Sequence, residues 1–126
     1  MKKVGALFFR AITSHIIKVM NAAICDAIKK RAILAFQYKG SLRLVEPQCH
    51  GTSSAGNEVL RAVEVGDDGR SSAPIGKLFD VSKMSQLKET GRHFANAALN
   101  HNPADRAMTF VHCCLPRSRV ASKKSR

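Results

Sequence analysis

The stretch AILAFQYKGSLRLVEPQCHGTSSAGNEVLRAVEVGDDGRSSAPIGKLFDVSKMSQL, residues 32–87, decides the fold. It reads as short strands separated by turn signals. In ILAFQYK, Leu34, Phe36 and Tyr38 alternate with Ile33, Ala35 and Gln37. A period of two with aromatics at strand spacing marks a strand rather than a helix. Lys39-Gly40-Ser41 offers a residue free to take positive φ, so LRLVEP is expected to return as the second arm of a hairpin. Pro47 has no amide hydrogen to give a ladder and is expected at a strand end or sheet edge. EVLRAVEV (58–65) is a third strand and KLFDVS (77–82) a fourth, sliding into MSQLKE.

Outward from this core, the chain of 126 residues is the size of one domain. Its net charge of +12 is uneven: residues 1–31 carry +6, residues 116–126 carry +5, and the middle only +1. Basic flanks on a nearly neutral core fit arms that meet a polyanion, because clustered cations gain affinity by displacing phosphate counterions. Solubilising flanks are the plainer use of the same charge.

Upstream, Ile12, Ile16, Ile17, Met20, Ala23, Ile24, Ala27 and Ile28 draw one apolar stripe at helical period. Lys29-Lys30-Arg31 suits the negative end of that helix's dipole. The stripe is expected to pack on the sheet. The beginning MKKVGALFF resembles a secretory signal, but Arg10 interrupts it and no small-residue cleavage site follows. Its basic, acid-free character also fits a mitochondrial presequence; the expected location is cytoplasmic. No apolar run reaches the roughly 18 residues of a membrane helix, so no membrane partner is expected.

Downstream, residues 66–74 form a polar, glycine-bearing loop. Residues 92–99 suggest a helical turn or two. MTFVHCCL reads as a closing strand ended by Pro116, and the basic segment beyond is expected to be disordered.

Chemistry is sparse. Gly-rich phosphate loops, nucleophile elbows and metalloprotease signatures are absent, and no pair of acids sits at a catalytic spacing. The expectation is a non-enzyme without cofactor. Cys25, Cys49, Cys113 and Cys114 form no CxxC pair and, lacking secretory context, are expected as thiols, the vicinal pair pointing to opposite faces of a strand. Cys49-His50 and His112-Cys113-Cys114 would gather soft ligands if the second and last strands were neighbours. Their spacing matches no zinc pattern, so no metal is expected.

Three segments carry a resemblance: AIKKRAILAFQYKGSLRLVEP (Ala27–Pro47), GNEVLRA (Gly56–Ala62) and KLFDVSKMSQL (Lys77–Leu87). In this order they resemble the WYL domain of bacterial regulators, over roughly residues 24–115. The resemblance implies an SH3/Sm-like barrel that senses a ligand, often thought to be single-stranded nucleic acid or a nucleotide, on a basic and aromatic surface. Carried over, it implicates Tyr38, Arg43, Lys77 and Lys83, with Arg61 directly after the Leu60 position. The chain departs from the pattern at Glu58-Val59-Leu60, where only the leucine of the Trp-Tyr-Leu triplet is kept. Lys77 and Lys83 also stand in place of arginines, which keeps charge but loses bidentate phosphate geometry. No winged-helix pattern is present, so promoter recognition by a helix-turn-helix is not expected.

The composite expectation is a mainly β protein. A basic segment and amphipathic helix (1–31) pack on a small SH3/Sm-like five-stranded barrel (32–115), and a basic tail (116–126) follows. Arg43, Arg61, Lys77 and Lys83 would hold phosphates and Tyr38 would stack, although Tyr38 and Phe79 suit a core equally well. Arg117, Arg119, Lys123, Lys124 and Arg126 would add non-specific phosphate contacts. The expected partner is single-stranded nucleic acid or a nucleotide; the alternative is a protein partner or a homodimer formed through the apolar helix.

Overall fold

The computed structural model describes residues 17–71 and 74–117. Ile12 and Ile16 of the apolar stripe, and Arg119, Lys123, Lys124 and Arg126 of the tail, lie outside the described residues. A helix, α1, covers residues 17–30. Six strands follow: β1 (Ala32–Tyr38), β2 (Ser41–Thr52), β3 (Glu58–Val65), β4 (Lys77–Asp80), β5 (Met84–His93) and β6 (Phe110–Cys114).

The described part of α1 buries Ile24, Ala27 and Ile28 in the main core and leaves Lys18, Lys29 and Lys30 in solvent. That is the face the helical period selects, except that Ala23 is exposed. The helix stops at Arg31, whose φ of 55° is left-handed. Its amide donates to the Ile28 carbonyl, and its own carbonyl accepts from Phe94, which ties the helix end to the end of β5.

Lys39 and Gly40, both at positive φ, close the expected β1–β2 hairpin, the pairing of a two-residue turn whose twist matches its strands. All pairings are antiparallel in the order β4-β3-β2-β1-β5, with β6 added to β2. A 3₁₀ turn, Val81–Lys83, carries β4 into β5, and the Asp80 side chain caps it by accepting from the Ser82 amide. The sheet curls strongly. Although β4 stands three strands from β1 in the pairing order, the Asp80 amide donates to the Tyr38 hydroxyl at 3.0 Å. Phe36, Tyr38 and Phe79 meet edge to face with centroids 5.2–6.0 Å apart.

Two sequence readings are corrected. Among the described residues the sheet has six strands and is open, with no ladder joining β4 to β5, rather than five in a closed barrel. The strand missed is β5. Only Met84 is buried along it, so it lacks the alternation that reveals a strand. The helical turn expected over 92–99 is instead the end of β5 and an irregular connection that buries Phe94 and Ala98. Pro47 lies inside β2, at a local sheet edge, the second of the two places expected for it. Pairing of β2 with β1 stops at Val45 and pairing with β6 starts at Cys49, so Pro47 sits in the gap, directly before a bulge of β2 at Gln48 in its register with β3.

Candidate functional site

Cations gather where the β1–β2 hairpin meets the β4–β5 turn. Tyr38 is only 8% exposed, its ring held in the aromatic triad. Lys39 Nζ lies 5.7 Å and the Arg43 guanidinium 5.6 Å from the ring centroid, within cation–π reach. Arg43 also donates to Ser41 Oγ at 3.0 Å and to both oxygens of Glu64 at 3.3 Å. Lys77 reaches the same carboxylate at 3.3 Å, with its side chain 65% exposed. Lys83 is exposed one residue before Met84, the cross-strand partner of Tyr38.

Arg43, Lys77 and Tyr38 are thus brought together, with Lys83 beside them, and Glu64 neutralises part of their charge. Lys39 joins them without having been singled out from sequence; its signal was its place in the turn directly after Tyr38. Arg61 stands apart. It grips Asp105 through two hydrogen bonds of 2.9 and 3.0 Å. Pairing with Asp105 holds the Arg61 pKa above its ordinary value and keeps the Asp105 carboxyl below its own. Arg117, the first cation of the tail, is exposed.

A second constellation is built on the β2–β6 ladder. β2 and β6 are neighbours, with Cys49 opposite Cys114 and His50 opposite Cys113. Gly51 permits this approach, because a Cβ there would strike the Phe110 carbonyl oxygen. The alternation of strand residues sends Cys113 and Cys114 to opposite faces, as expected. The four cysteines are not free thiols, however. Cys25 of α1 pairs with Cys113, and Cys49 pairs with Cys114. Sequence spacing could not reveal this, since partners 88 and 65 residues apart meet only when the ladder forms.

Each pair has a histidine against it, His50 beside Cys25–Cys113 and His101 beside Cys49–Cys114. His50 is fully buried, its Nδ1 3.6 Å from Cys25 Sγ and 3.9 Å from Cys113 Sγ. Burial, helped by the nearby His112 and opposed by Glu58, pulls its pKa down to about 4. Glu58 accepts from Asn21 at 3.2 Å, Thr52 at 2.8 Å and His112 at 2.9 Å. The imidazole is therefore neutral at ordinary pH, a base and ligand rather than a cation.

Comparison with protein-family models, with curated proteins and with solved structures finds no match. Among the described residues, no helix is long and apolar enough to cross a membrane.

Proposed function

We propose that the chain is a non-catalytic binding module for a phosphate-bearing ligand, most directly a single strand of DNA or RNA, or a nucleotide. The observation that carries this reading is the gathering of Lys39, Arg43, Lys77 and Lys83 at one end of the curled sheet, with Glu64 shared by Arg43 and Lys77. Phosphates arriving at this end exchange a shared carboxylate for their own charge, and Lys83 and the basic tail are free to add salt-sensitive attraction. With Tyr38 buried, its part is to hold Arg43 and Lys39 in place rather than to stack a base, so affinity rests on charge more than on aromatic surface.

The strand order, with a 3₁₀ turn between the fourth and fifth strands, supports an SH3/Sm-like half-barrel and is compatible with the WYL resemblance. A cytoplasmic location belongs to the same proposal and requires the cysteines to be held as thiols there.

Charge reversal tests the site. Lys77→Glu/Lys83→Glu is expected to weaken oligo-dT and oligo-U binding at least tenfold while leaving the circular dichroism spectrum unchanged. Unchanged affinity in the folded double variant contradicts the assignment. A second reading, self-association, is favoured by an apolar groove between α1 and β5 lined by Val19, Met20, Ala23, Met84 and Leu87. It predicts a hydrodynamic mass of twice the monomer that Val19→Asp abolishes; Val19 is 55% exposed, so this change leaves the core intact.

A further inference from the structure

His50 sits in an arrangement that a disulfide does not satisfy. It is fully buried, and its Nδ1 lies against the two sulfurs of Cys25 and Cys113. Its Nε2 is buried without a well-directed hydrogen bond, 3.5 Å from Glu58 Oε1. A carboxylate accepts only, so the tautomer favoured by Glu58 has the proton on Nε2 and a bare lone pair on Nδ1. That lone pair faces sulfurs which, once joined to each other, have no proton to offer. A buried acceptor without a donor is costly.

We propose that in the dithiol state Cys25, His50 and Cys113 form a binding site for a thiophilic cation of the Zn²⁺ class, with Glu58 holding the imidazole from behind. The three donor atoms come from α1, β2 and β6 and lie within 4.8 Å of one another. Tetrahedral Zn²⁺, with bonds of about 2.0–2.1 Å to nitrogen and about 2.3 Å to sulfur, sets nitrogen and sulfur about 3.5 Å apart and the two sulfurs, once unbonded, about 3.8 Å apart. The observed nitrogen–sulfur separations of 3.6 and 3.9 Å already stand near the first of these values. A carboxylate behind the ligating histidine is the usual outer partner of such a site. Cys25 and Cys113 are half-buried, so water can supply a fourth ligand.

The disulfide and the cation site exclude each other, and the chemistry between them balances. A dithiol reductant gives two electrons and two protons to the Cys25–Cys113 bond and becomes a disulfide itself. Binding of the cation then displaces both thiol protons, and the sulfurs ligate as thiolates.

The test uses the full chain reduced with a phosphine and titrated with Co²⁺ as a spectroscopic stand-in for Zn²⁺. Cys49→Ala/Cys114→Ala is the parent, so the Cys49–His101–Cys114 cluster on the opposite face adds no signal. The expected result is a thiolate-to-Co²⁺ charge-transfer band, at one equivalent, that Zn²⁺ abolishes and the oxidised chain lacks. His50→Ala should weaken Co²⁺ at least tenfold and Glu58→Gln about tenfold. If the parent does not fold, the same comparison is made with His50→Ala in the otherwise unchanged chain. Absence of the band, whether the reduced chain is folded or stays unfolded with Co²⁺ present, overturns the proposal. So does an affinity that His50→Ala leaves unchanged.

Discussion

Arg61 and His50 show how differently two polar residues of one core are satisfied. Asp105 is 6% exposed and depends on Arg61 for its charge. Arg61→Ala is therefore expected to cost about 1.5–3 kcal/mol, read as a lower urea midpoint, because a charge-assisted pair is lost and its partner stays buried. Arg61 also donates to the Gly76 carbonyl, directly before Lys77, so oligonucleotide affinity of the folded variant is expected to fall, but by less than in Lys77→Glu/Lys83→Glu. His50 has no such partner and stays neutral. Its pKa of about 4 in the folded oxidised chain lies below the ordinary 6.5, so the unfolded chain binds this proton more tightly. Stability then rises with pH across that window: it is full above 6.5 and is lost as the pH falls toward 4. The loss is about 3 kcal/mol at the acid end. Urea midpoints between those limits should slope upward in the oxidised wild type and flatten in His50→Gln; an equal slope in both would assign the effect elsewhere. At this scale the sequence was partly legible. Arg43, Lys77 and Tyr38 were named and meet, whereas the Arg61–Asp105 grip joins positions 44 apart, with nothing local to announce it.

Among the elements, β2 organises the molecule. Its first half pairs with β1, its second half with β6, and β3 runs along its other edge. The hairpin and the first four strands were readable because apolar alternation and the Lys39-Gly40 turn are local signals. β5 was not, because a strand with almost no buried face has no apolar period to read. The β2–β6 neighbourhood was legible only as a condition, that Cys49-His50 and Cys113-Cys114 would gather if their strands met; topology supplies what spacing lacks. Close approach at Gly51 makes the ladder testable. Gly51→Ala should destabilise by about 1–3 kcal/mol, because the Phe110 backbone has to move away from the added methyl. Denaturation followed by circular dichroism checks this, and an unaltered midpoint would mean that β6 is not seated on β2.

For the molecule as a whole, the cysteine pairs fasten α1 and β2 to the last strand across separations of 88 and 65 residues. Cross-links closing loops of that size stabilise by roughly 4 kcal/mol each in a chain-entropy account, less when both are present because the loops overlap. Mild reduction without metal is expected to lower the melting temperature substantially, and a scan with and without reductant measures it. An unshifted melting temperature would mean that the chain is held by its core alone. The most direct test of the functional reading is fluorescence anisotropy of labelled oligo-dT and oligo-U across a salt series, with the full chain beside one ending at Pro116. If Lys39, Arg43, Lys77 and Lys83 meet phosphates, the shortened chain still binds, with a log–log salt slope of about −3, and the full chain has a steeper one. Loss of all binding with the tail would contradict the account, leaving only the attraction of a basic segment for any polyanion.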